Sequence, residues 1–375
     1  MQNAREKYLP WLTLREIPFV GNVIYKKLID HFQTPDRVLA ASKDTLEKTG
    51  FLSSRVIKGI LNHDRAKQAA ARELDLIIKK RVRIVTLTDR HYPALLRHIP
   101  DPPPLLTHAG NIDNQTPCIS IVGSRKPTSY GMTAARRLAA GLADKGFQIV
   151  SGMARGIDTM AHKAALSVNA RTLAVLGSGL DRIYPAENYR LFQVIREKGS
   201  VFSEFKIQTQ PAAHNFPLRN RVIAGMSCGT IVIEAAEKSG SLITARLALE
   251  YNRELFAVPG SIFSPKSRGT HALIRQGAKL VENETDIINE LHHFVHAEKK
   301  EKPGKKTVLQ KKTKTCTDLS IIKFLDPYPV HIDILIEKSG LSPSEVMSQL
   351  TDLDLSGKIR RHQGDYYSLT EDTIE

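Results

Sequence analysis

The residues best suited to chemistry lie in four short loops that combine glycine with serine, lysine or arginine. Glycine lets a backbone approach an anion, a helix N-terminus offers unpaired N–H groups, and a guanidinium can donate two parallel hydrogen bonds to phosphate. The loops therefore predict a phosphate-bearing ligand. The candidate binding residues are Gly123, Ser124, Arg125 and Lys126, then Ser151, Gly152 and Arg155, then Gly177 and Ser178, and finally Phe216, Arg219, Asn220 and Arg221.

The fourth loop places an aromatic residue ahead of two arginines. This order, Phe216 before Arg219 and Arg221, suits a pocket in which arginine clamps phosphate while a ring stacks on a base. A structural salt bridge is the alternative for these arginines and for Arg125. For Arg155 the same alternative is suggested by Asp158, one helical step along the chain.

Motifs of bond-breaking enzymes are missing or incomplete. No Gly-x-x-x-x-Gly-Lys-Ser/Thr sequence occurs, and Gly177-Ser178-Gly179 lacks the third glycine of a dinucleotide fingerprint. Gly225-Met226-Ser227-Cys228-Gly229 has the letters of a hydrolase elbow, but it precedes a predicted strand instead of following one. The thirteen histidines and three cysteines show no metal-ligand spacing. We expect no catalytic residue, no metal and no cofactor.

The charge composition points to a polyanionic partner. The chain has 54 Lys and Arg against 39 Asp and Glu, a net charge of +15, which favours nucleic acid over an acidic membrane. Residues 299–314 hold eight lysines and one glutamate. This segment is interpreted either as a solvated linker or as a tether that grips phosphate transiently.

The elements that must position the loops alternate between strand and helix. From residue 118 to residue 281, short β-branched segments alternate with helical ones, which predicts an α/β, Rossmann-like core with a parallel sheet covered on both faces. Ligands of such sheets bind beyond the carboxyl ends of the strands. The four loops would meet there.

Five regions are expected along the chain. The regions differ in helical spacing, proline content, strand alternation and lysine content, and the last one has a capping box at Ser342 followed by a predicted hairpin. They are a small helical domain like SAM and helix-hairpin-helix modules (1–80), an extended bridging segment (81–117), the Rossmann-like core (118–295), a lysine-rich linker (296–317) and a winged-helix domain (318–375).

Two features of the flanking domains leave a choice. The turn at residues 17–22 is similar to a helix-hairpin-helix turn with Phe19 and Asn22 in place of glycines, so either packing or a phosphate contact explains it. In the winged helix, residues 342–355 contain no Lys or Arg but carry Glu345, Asp352 and Asp354. Such a helix would be repelled by duplex DNA, and we expect partner binding or support of a dimer.

Taken together, the motifs resemble the DNA-processing protein A family, known as DprA or Smf. They are Gly123-Ser124-Arg125, residues 151–158, Leu176-Gly177-Ser178-Gly179 with Tyr184-Pro185, residues 216–221, Glu234-Ala235-Ala236 and residues 239–245. The resemblance implies a single-stranded DNA binder of natural transformation that protects incoming strands and helps to load the recombinase RecA, and a homodimer through the Rossmann-like core. A cytoplasmic location is expected from the three widely spaced cysteines, which fit a reducing compartment, and a non-enzymatic role from the missing catalytic motifs. The resemblance places the family's phosphate-binding arginines on Arg125, Arg219 and Arg221. Some members carry a lysine before the Phe-Pro, where this chain has Ala212-Ala213-His214.

Two alternatives remain open from the sequence. A nucleoside-monophosphate phosphoribohydrolase of the Lonely Guy type is suggested by Gly229-Thr230 and Glu234, although Met226 and Ser227 replace its first glycines and Glu234 comes one residue late. A purely structural adaptor is the other.

The first residues lack the apolar segment of a secretion signal, and no apolar stretch is long enough to span a membrane.

Overall fold

The computed structural model describes residues 2–291, 321–326, 329–362 and 364–370. The chain divides into two compact units, one of residues 1–126 and 135–296 and the other of residues 127–134 and 297–375. Among the described residues, no helix combines the length and apolar character needed to cross a bilayer. The lysine-rich linker lies outside the described residues.

The N-terminal region is helical, as the spacing of its apolar residues predicts. Ser42 and Ser53 cap two of the helices through their side chains, and the helix that ends at Glu16 packs along the helix that begins at Asp64. In the turn at 17–22, Ile17 and Val20 are buried while Phe19 is exposed in a left-handed conformation with φ of 68°. The helices are α1 (Gln2–Glu16), α2 (Asn22–Phe32), α3 (Pro35–Leu39), α4 (Lys43–Glu47), α5 (Ser54–Leu61) and α6 (Asp64–Lys79).

A nine-stranded sheet forms the centre of the first unit, in the order β1-β2-β6-β5-β4-β3-β7-β8-β9. Every residue of β4 to β7 is buried, so both faces of the sheet are covered. The strands are β1 (Arg83–Thr86), β2 (Leu105–Gly110), β3 (Cys118–Gly123), β4 (Gln148–Ser151), β5 (Thr172–Val175), β6 (Ser200–Ser203), β7 (Gly229–Ile233), β8 (Glu254–Ala257) and β9 (Lys279–Leu280).

The core helices follow the strands as the alternating pattern predicts. They are α7 (Ser129–Asp144), α8 (Ile157–Ser167), α9 (Tyr189–Lys198), α10 (Asn215–Met226), α11 (Ser241–Glu250), α12 (Arg268–Arg275) and α13 (Glu284–Glu290). Within this sheet, the strands from β3 to β9 pair with one another in parallel. The Rossmann-like core expected from the sequence is confirmed.

One expectation about the sheet is corrected. The sequence predicts an extended bridging segment at 81–117, but this segment supplies β1 and β2, which pair antiparallel with each other, and β2 also pairs antiparallel with β6. Its apolar residues Ile84, Val85, Leu105 and Leu106 are buried. Pairing gives their backbone groups hydrogen-bond partners, which a buried bridge would lack. The sheet is therefore mixed, with an antiparallel edge.

The second unit contains a winged-helix arrangement with its own small core. Ser342 and Glu345 form the expected capping box, in which the Ser342 backbone N–H donates to Glu345 Oε2 at 2.9 Å. Val346, Leu350, Ile359 and Tyr367 are among its buried residues. Its elements are a 3₁₀ turn (Ile321–Phe324), β10 (Val330–His331), α14 (Ile332–Ser339), α15 (Pro343–Leu355), β11 (Ile359–His362) and β12 (Tyr366–Leu369).

Candidate functional site

A cleft of about 910 Å³ opens at the carboxyl edge of the core sheet. Strands β3 and β7 are neighbours, yet the chain leaves β3 towards β4 on one side and leaves β7 towards β8 on the other. The segments that follow them diverge, and a crevice forms between them. The lining comes from residues 122–126, Ala154, Asp158, Tyr184, and parts of 211–223 and 236–244, with Lys266.

The loop after β3 is held by close backbone packing. A Cβ atom on Gly123 would lie 1.9 Å from the carbonyl oxygen of Ile233, so only glycine fits at this position. The Ser124 carbonyl accepts a hydrogen bond from the backbone N–H of Ile157 at 3.1 Å, and Ser124 Oγ accepts one from that of Lys126 at 3.1 Å. Arg125 and Lys126 follow with exposed side chains.

Arg219 lies buried against the wall of the cleft, with 3% of its surface exposed. Its Nη1 donates to the carbonyl oxygens of Gly152, at 2.6 Å, and Val175. Burial lowers the pKa of the Arg219 guanidinium to about 10, and the carboxylate of Asp158 opposes that shift. A Cβ on Gly152 would lie 2.3 Å from Nη1 of Arg219. Gly152 therefore makes room for the guanidinium.

Phe216 is the aromatic centre of the cleft. Its ring centroid lies 5.1 Å from the guanidinium carbon of Arg125 and 6.0 Å from that of Arg219, distances typical of cation–π contacts. The ring of Tyr184 is 5.7 Å away. A Cβ on Gly177 would come within 2.7 Å of the Phe216 ring, so this glycine permits the ring's position.

The cleft is strongly positive. Five cations line it against one carboxylate, that of Asp158, which accepts hydrogen bonds from the backbone N–H groups of Gly152 at 3.1 Å and Ala154 at 3.4 Å. Burial raises the pKa of Asp158, although Arg219 opposes the shift. The cations are Arg125, Lys126, Arg219, Lys238 and Lys266.

Sequence reasoning missed Lys238 and Lys266. Lys238 stands before Ser239-Gly240-Ser241 at the start of α11, and Lys266 lies in the segment between β8 and α12. The same criterion of glycine and serine after a strand, applied to β7, would have found Lys238. Some family members carry a lysine shortly before the Phe-Pro. In this chain Ala213 stands in that stretch, and it lines the cleft.

The structure brings Gly123, Ser124, Arg125, Lys126, Phe216, Arg219 and Asn220 together on the lining and leaves the other candidates off it. The hydroxyls of Ser151 and Ser178 are used inside the fold, because they donate to the carbonyls of Ile121 at 2.7 Å and Arg182 at 2.6 Å. Arg155 pairs with Glu187 on the surface and not with Asp158.

Arg221 lies off the cleft lining, so the structure does not place it for the expected phosphate clamp. Its side chain is buried and forms ion pairs with Glu204 and Asp101, which is the salt-bridge alternative. Two residues apart on a helix, Arg219 and Arg221 point in directions that differ by about 200°, so one face cannot present both.

The residues behind the rival interpretations are also part of the fold. Ser227 directly follows α10, and its buried hydroxyl donates to the Ile223 carbonyl at 2.9 Å. Gly229 and Thr230 lie within β7, where the hydroxyls of Thr230 and Ser120 are 2.7 Å apart. Within the part of the chain that the structure describes, no group of His, Cys, Asp and Glu could hold a metal ion.

Comparison with known proteins shows which family the chain belongs to. Residues 83–292 match the family model of DNA recombination-mediator protein A, and residues 311–365 match the DprA winged helix domain. The chain belongs to the DNA recombination-mediator protein A family. The resemblance seen in the motifs is thereby confirmed, and the winged-helix assignment agrees with the second match.

Individual family members align over most of their length. Protein Smf of Synechocystis sp. is 38% identical over 296 residues, which is 78% of this chain and 74% of that protein. The solved structure of DprA from Streptococcus pneumoniae has a TM-score of 0.65 at 36% identity and covers 74% of this chain and 95% of that one. DprA from Helicobacter pylori, whose structure concerns its single-stranded DNA binding mode, has a TM-score of 0.51 at 34% identity over 56% and 96% of the chains.

Proposed function

We propose that this protein binds single-stranded DNA in the cleft between the segments that follow β3 and β7. The observation that carries the proposal is that Arg125, Lys126, Lys238 and Lys266 line the same cleft as the partly buried ring of Phe216, with Arg125 over that ring. Cations along a groove hold a phosphate backbone, and an aromatic ring stacks on a base of any identity. Family membership supports the proposal, since the H. pylori relative is described as binding single-stranded DNA.

The geometry favours binding without sequence preference. The exposed cations face phosphates, which carry no sequence information. Arg219 acts differently, because its Nη1 is already held by two backbone carbonyls. It supplies fixed positive charge behind Phe216. Binding should therefore weaken steeply with salt and vary little with base composition.

The wider role that we propose follows the family. The protein acts in the cytoplasm during natural transformation, protects incoming strands, and loads the recombinase RecA onto them. It works as a homodimer through the Rossmann-like core and catalyses no change in the DNA. Sedimentation of the purified chain tests the dimer, and strand exchange by RecA on strands coated with single-strand-binding protein tests the loading. A monomer, or no stimulation of exchange, would contradict these parts.

The binding site itself is tested by a salt series of gel shifts. Wild type, Arg125→Ala and the control Arg65→Ala are titrated with an oligothymidylate and with a duplex of equal length. Arg65 is an exposed residue of α6 outside the cleft lining. Arg125→Ala should weaken single-strand binding by about 1 to 2 kcal/mol and reduce the salt slope, since it removes a charged phosphate contact. Arg65→Ala should match wild type.

Three results would contradict the proposal. One is unchanged affinity and salt slope in both Arg125→Ala and Lys238→Ala. Another is a preference for the duplex over the single strand. The third is release of free adenine from AMP by the purified protein, which would favour the phosphoribohydrolase.

A further inference from the structure

A second basic cavity lies in the first unit, beside the edge strands β1 and β2 of the sheet. It has a volume of about 550 Å³ and is formed by the end of α6, strands β1 and β2, helix α9 and residues of the segment after β5. None of its lining residues also lines the cleft. Its volume lies in the range of small-molecule sites.

The cavity carries an excess of positive charge. Lys80, Arg81, Arg83 and Arg196 line it, and the one carboxylate on its lining, Asp181, is already paired with Lys80 at 2.6 Å. Neither Arg81 nor Arg196 makes an ion pair with any residue that the structure describes. Guanidinium groups gathered around a concave surface without carboxylate partners favour a bound anion.

His108 adds a buried polar group to the cavity wall. It lies on β2 with 6% of its surface exposed, and its ring stacks on Phe202 at 5.9 Å. Nδ1 of His108 has no hydrogen-bond partner within the described chain. Buried polar atoms in native proteins are almost always paired, so such an atom marks a place that a ligand or an ordered water completes. Burial and the nearby Arg83 lower the pKa of His108 to about 4, so the imidazole is neutral at pH 7.

Helix α9 supplies an aromatic surface to the cavity. Tyr189 of α9 lines the cavity with 54% of its surface exposed, and its ring stacks on that of Phe192 at 6.2 Å. The ring is therefore both braced and accessible, which suits stacking on a flat heterocycle. The cavity therefore combines guanidinium groups, which suit a phosphate, with an accessible aromatic ring, which suits a base. A nucleotide contains both of these groups.

We propose that this cavity is a second ligand site that binds a nucleotide, with the phosphate on Arg81, Arg83 and Arg196 and the base against Tyr189. The nucleotide has two chemical sources, a free nucleoside phosphate or one unit of a DNA strand. The site is independent of the cleft around Phe216, since the two share no residue.

Calorimetric titration of the full-length chain with ATP and with dAMP at low salt tests the site. The informative variant is Arg196→Glu, and Arg190→Glu is its matched control, because Arg190 is exposed on the same helix but does not line the cavity. Arg196→Glu should weaken nucleotide binding at least tenfold and Arg190→Glu should not. Arg81→Glu, on a different element, should repeat the loss. Circular dichroism and melting curves verify that each variant folds.

Two further arms separate the sources and the sites. Arg125→Ala should retain nucleotide binding even though it loses affinity for the strand, so failure of the cleft and failure of this cavity are distinguishable. If the nucleotide belongs to a strand, Arg196→Glu also lowers affinity for a long oligothymidylate but not for a short one. If it is free, strand affinity is unchanged. Equal nucleotide affinity in Arg190→Glu and Arg196→Glu, loss of nucleotide binding in Arg125→Ala, or no detectable nucleotide binding by wild type would overturn the proposal.

Discussion

At the scale of single residues, the two arginines of α10, Arg219 and Arg221, have different roles. Arg219 faces the cleft and holds two backbone carbonyls, whereas Arg221 is buried between Glu204 and Asp101. The letters Arg-Asn-Arg suggest a pair of equivalent clamps. The two are not equivalent, because they point to different sides of the helix and Arg221 meets two carboxylates on its side.

Arg221→Met should therefore reduce stability and leave binding intact. The substitution leaves Glu204 buried without its cationic partner, which costs roughly 3 kcal/mol. Urea unfolding measures that loss, and the folded protein should bind oligothymidylate within a factor of two of wild type. A stable Arg221→Met protein that no longer binds the strand would show instead that Arg221 contacts DNA.

A buried histidine should make the fold sensitive to acid. Burial, together with Arg219, lowers the pKa of His162 to about 3, so in the folded protein this imidazole stays neutral. Below about pH 6.5 the unfolded chain binds a proton at this histidine that the folded chain does not bind. The free energy of unfolding therefore falls as the pH drops from 6.5 towards 3. From pH 7 to pH 5 this single residue costs about 2 kcal/mol.

His162→Gln removes that titration and should lose less stability than wild type over the same interval. Its amide can still accept or donate a hydrogen bond at Thr172, which His162 Nδ1 contacts at 2.7 Å. Urea midpoints at pH 7 and pH 5 give the comparison. Asp158 and Glu204, whose pKa values burial raises, act in the opposite sense and are common to both proteins. Parallel pH profiles would disprove the role of His162.

At the scale of elements, the glycines of the loops set how closely strands and side chains approach. Gly123 lies against the carbonyl of Ile233, while a Cβ on Gly240 at the start of α11 would meet nothing within 4 Å. Both glycines line the cleft. Their chemical surroundings therefore predict opposite responses to the same substitution.

Gly123→Ala should destabilise the fold by several kcal/mol or prevent folding, because the added methyl group collides with backbone that pairs β3 with β7. Gly240→Ala should cost no more than about 1 kcal/mol and should retain strand binding. Thermal unfolding of the two variants checks this. Equal stability of both would mean that β3 and β7 do not meet as closely as described.

At the scale of the whole molecule, the C-terminal unit contrasts with the basic core. Helix α15 exposes Glu345, Asp352 and Asp354 and has no basic residue, and Leu355 at its end is 84% exposed. Negative charge opposes contact with DNA, and an exposed leucine suits a protein partner. The unit is therefore proposed to bind a partner or to support the dimer.

A chain that ends at residue 317 should accordingly keep its affinity for single-stranded DNA. It retains the cleft and the lysine-rich segment 299–314 and lacks only the winged-helix region. Gel shifts at two salt concentrations should agree with the full chain within about threefold, roughly 0.6 kcal/mol. A larger loss would mean that the C-terminal unit contacts the strand.

Local sequence by itself determined the alternating strands and helices, the capping box at Ser342, and the loop residues Gly123 to Lys126 with Phe216 and Arg219. Each of these follows from spacing and residue type within a few positions. Tertiary structure alone decided that 83–110 joins the sheet, that Lys238 and Lys266 complete the cleft, and that Ser151, Ser178 and Arg221 serve the fold. The physical reason is that strand pairing, and the choice between a buried carboxylate and a ligand phosphate as an arginine's partner, depend on residues distant in the chain, which local patterns do not encode.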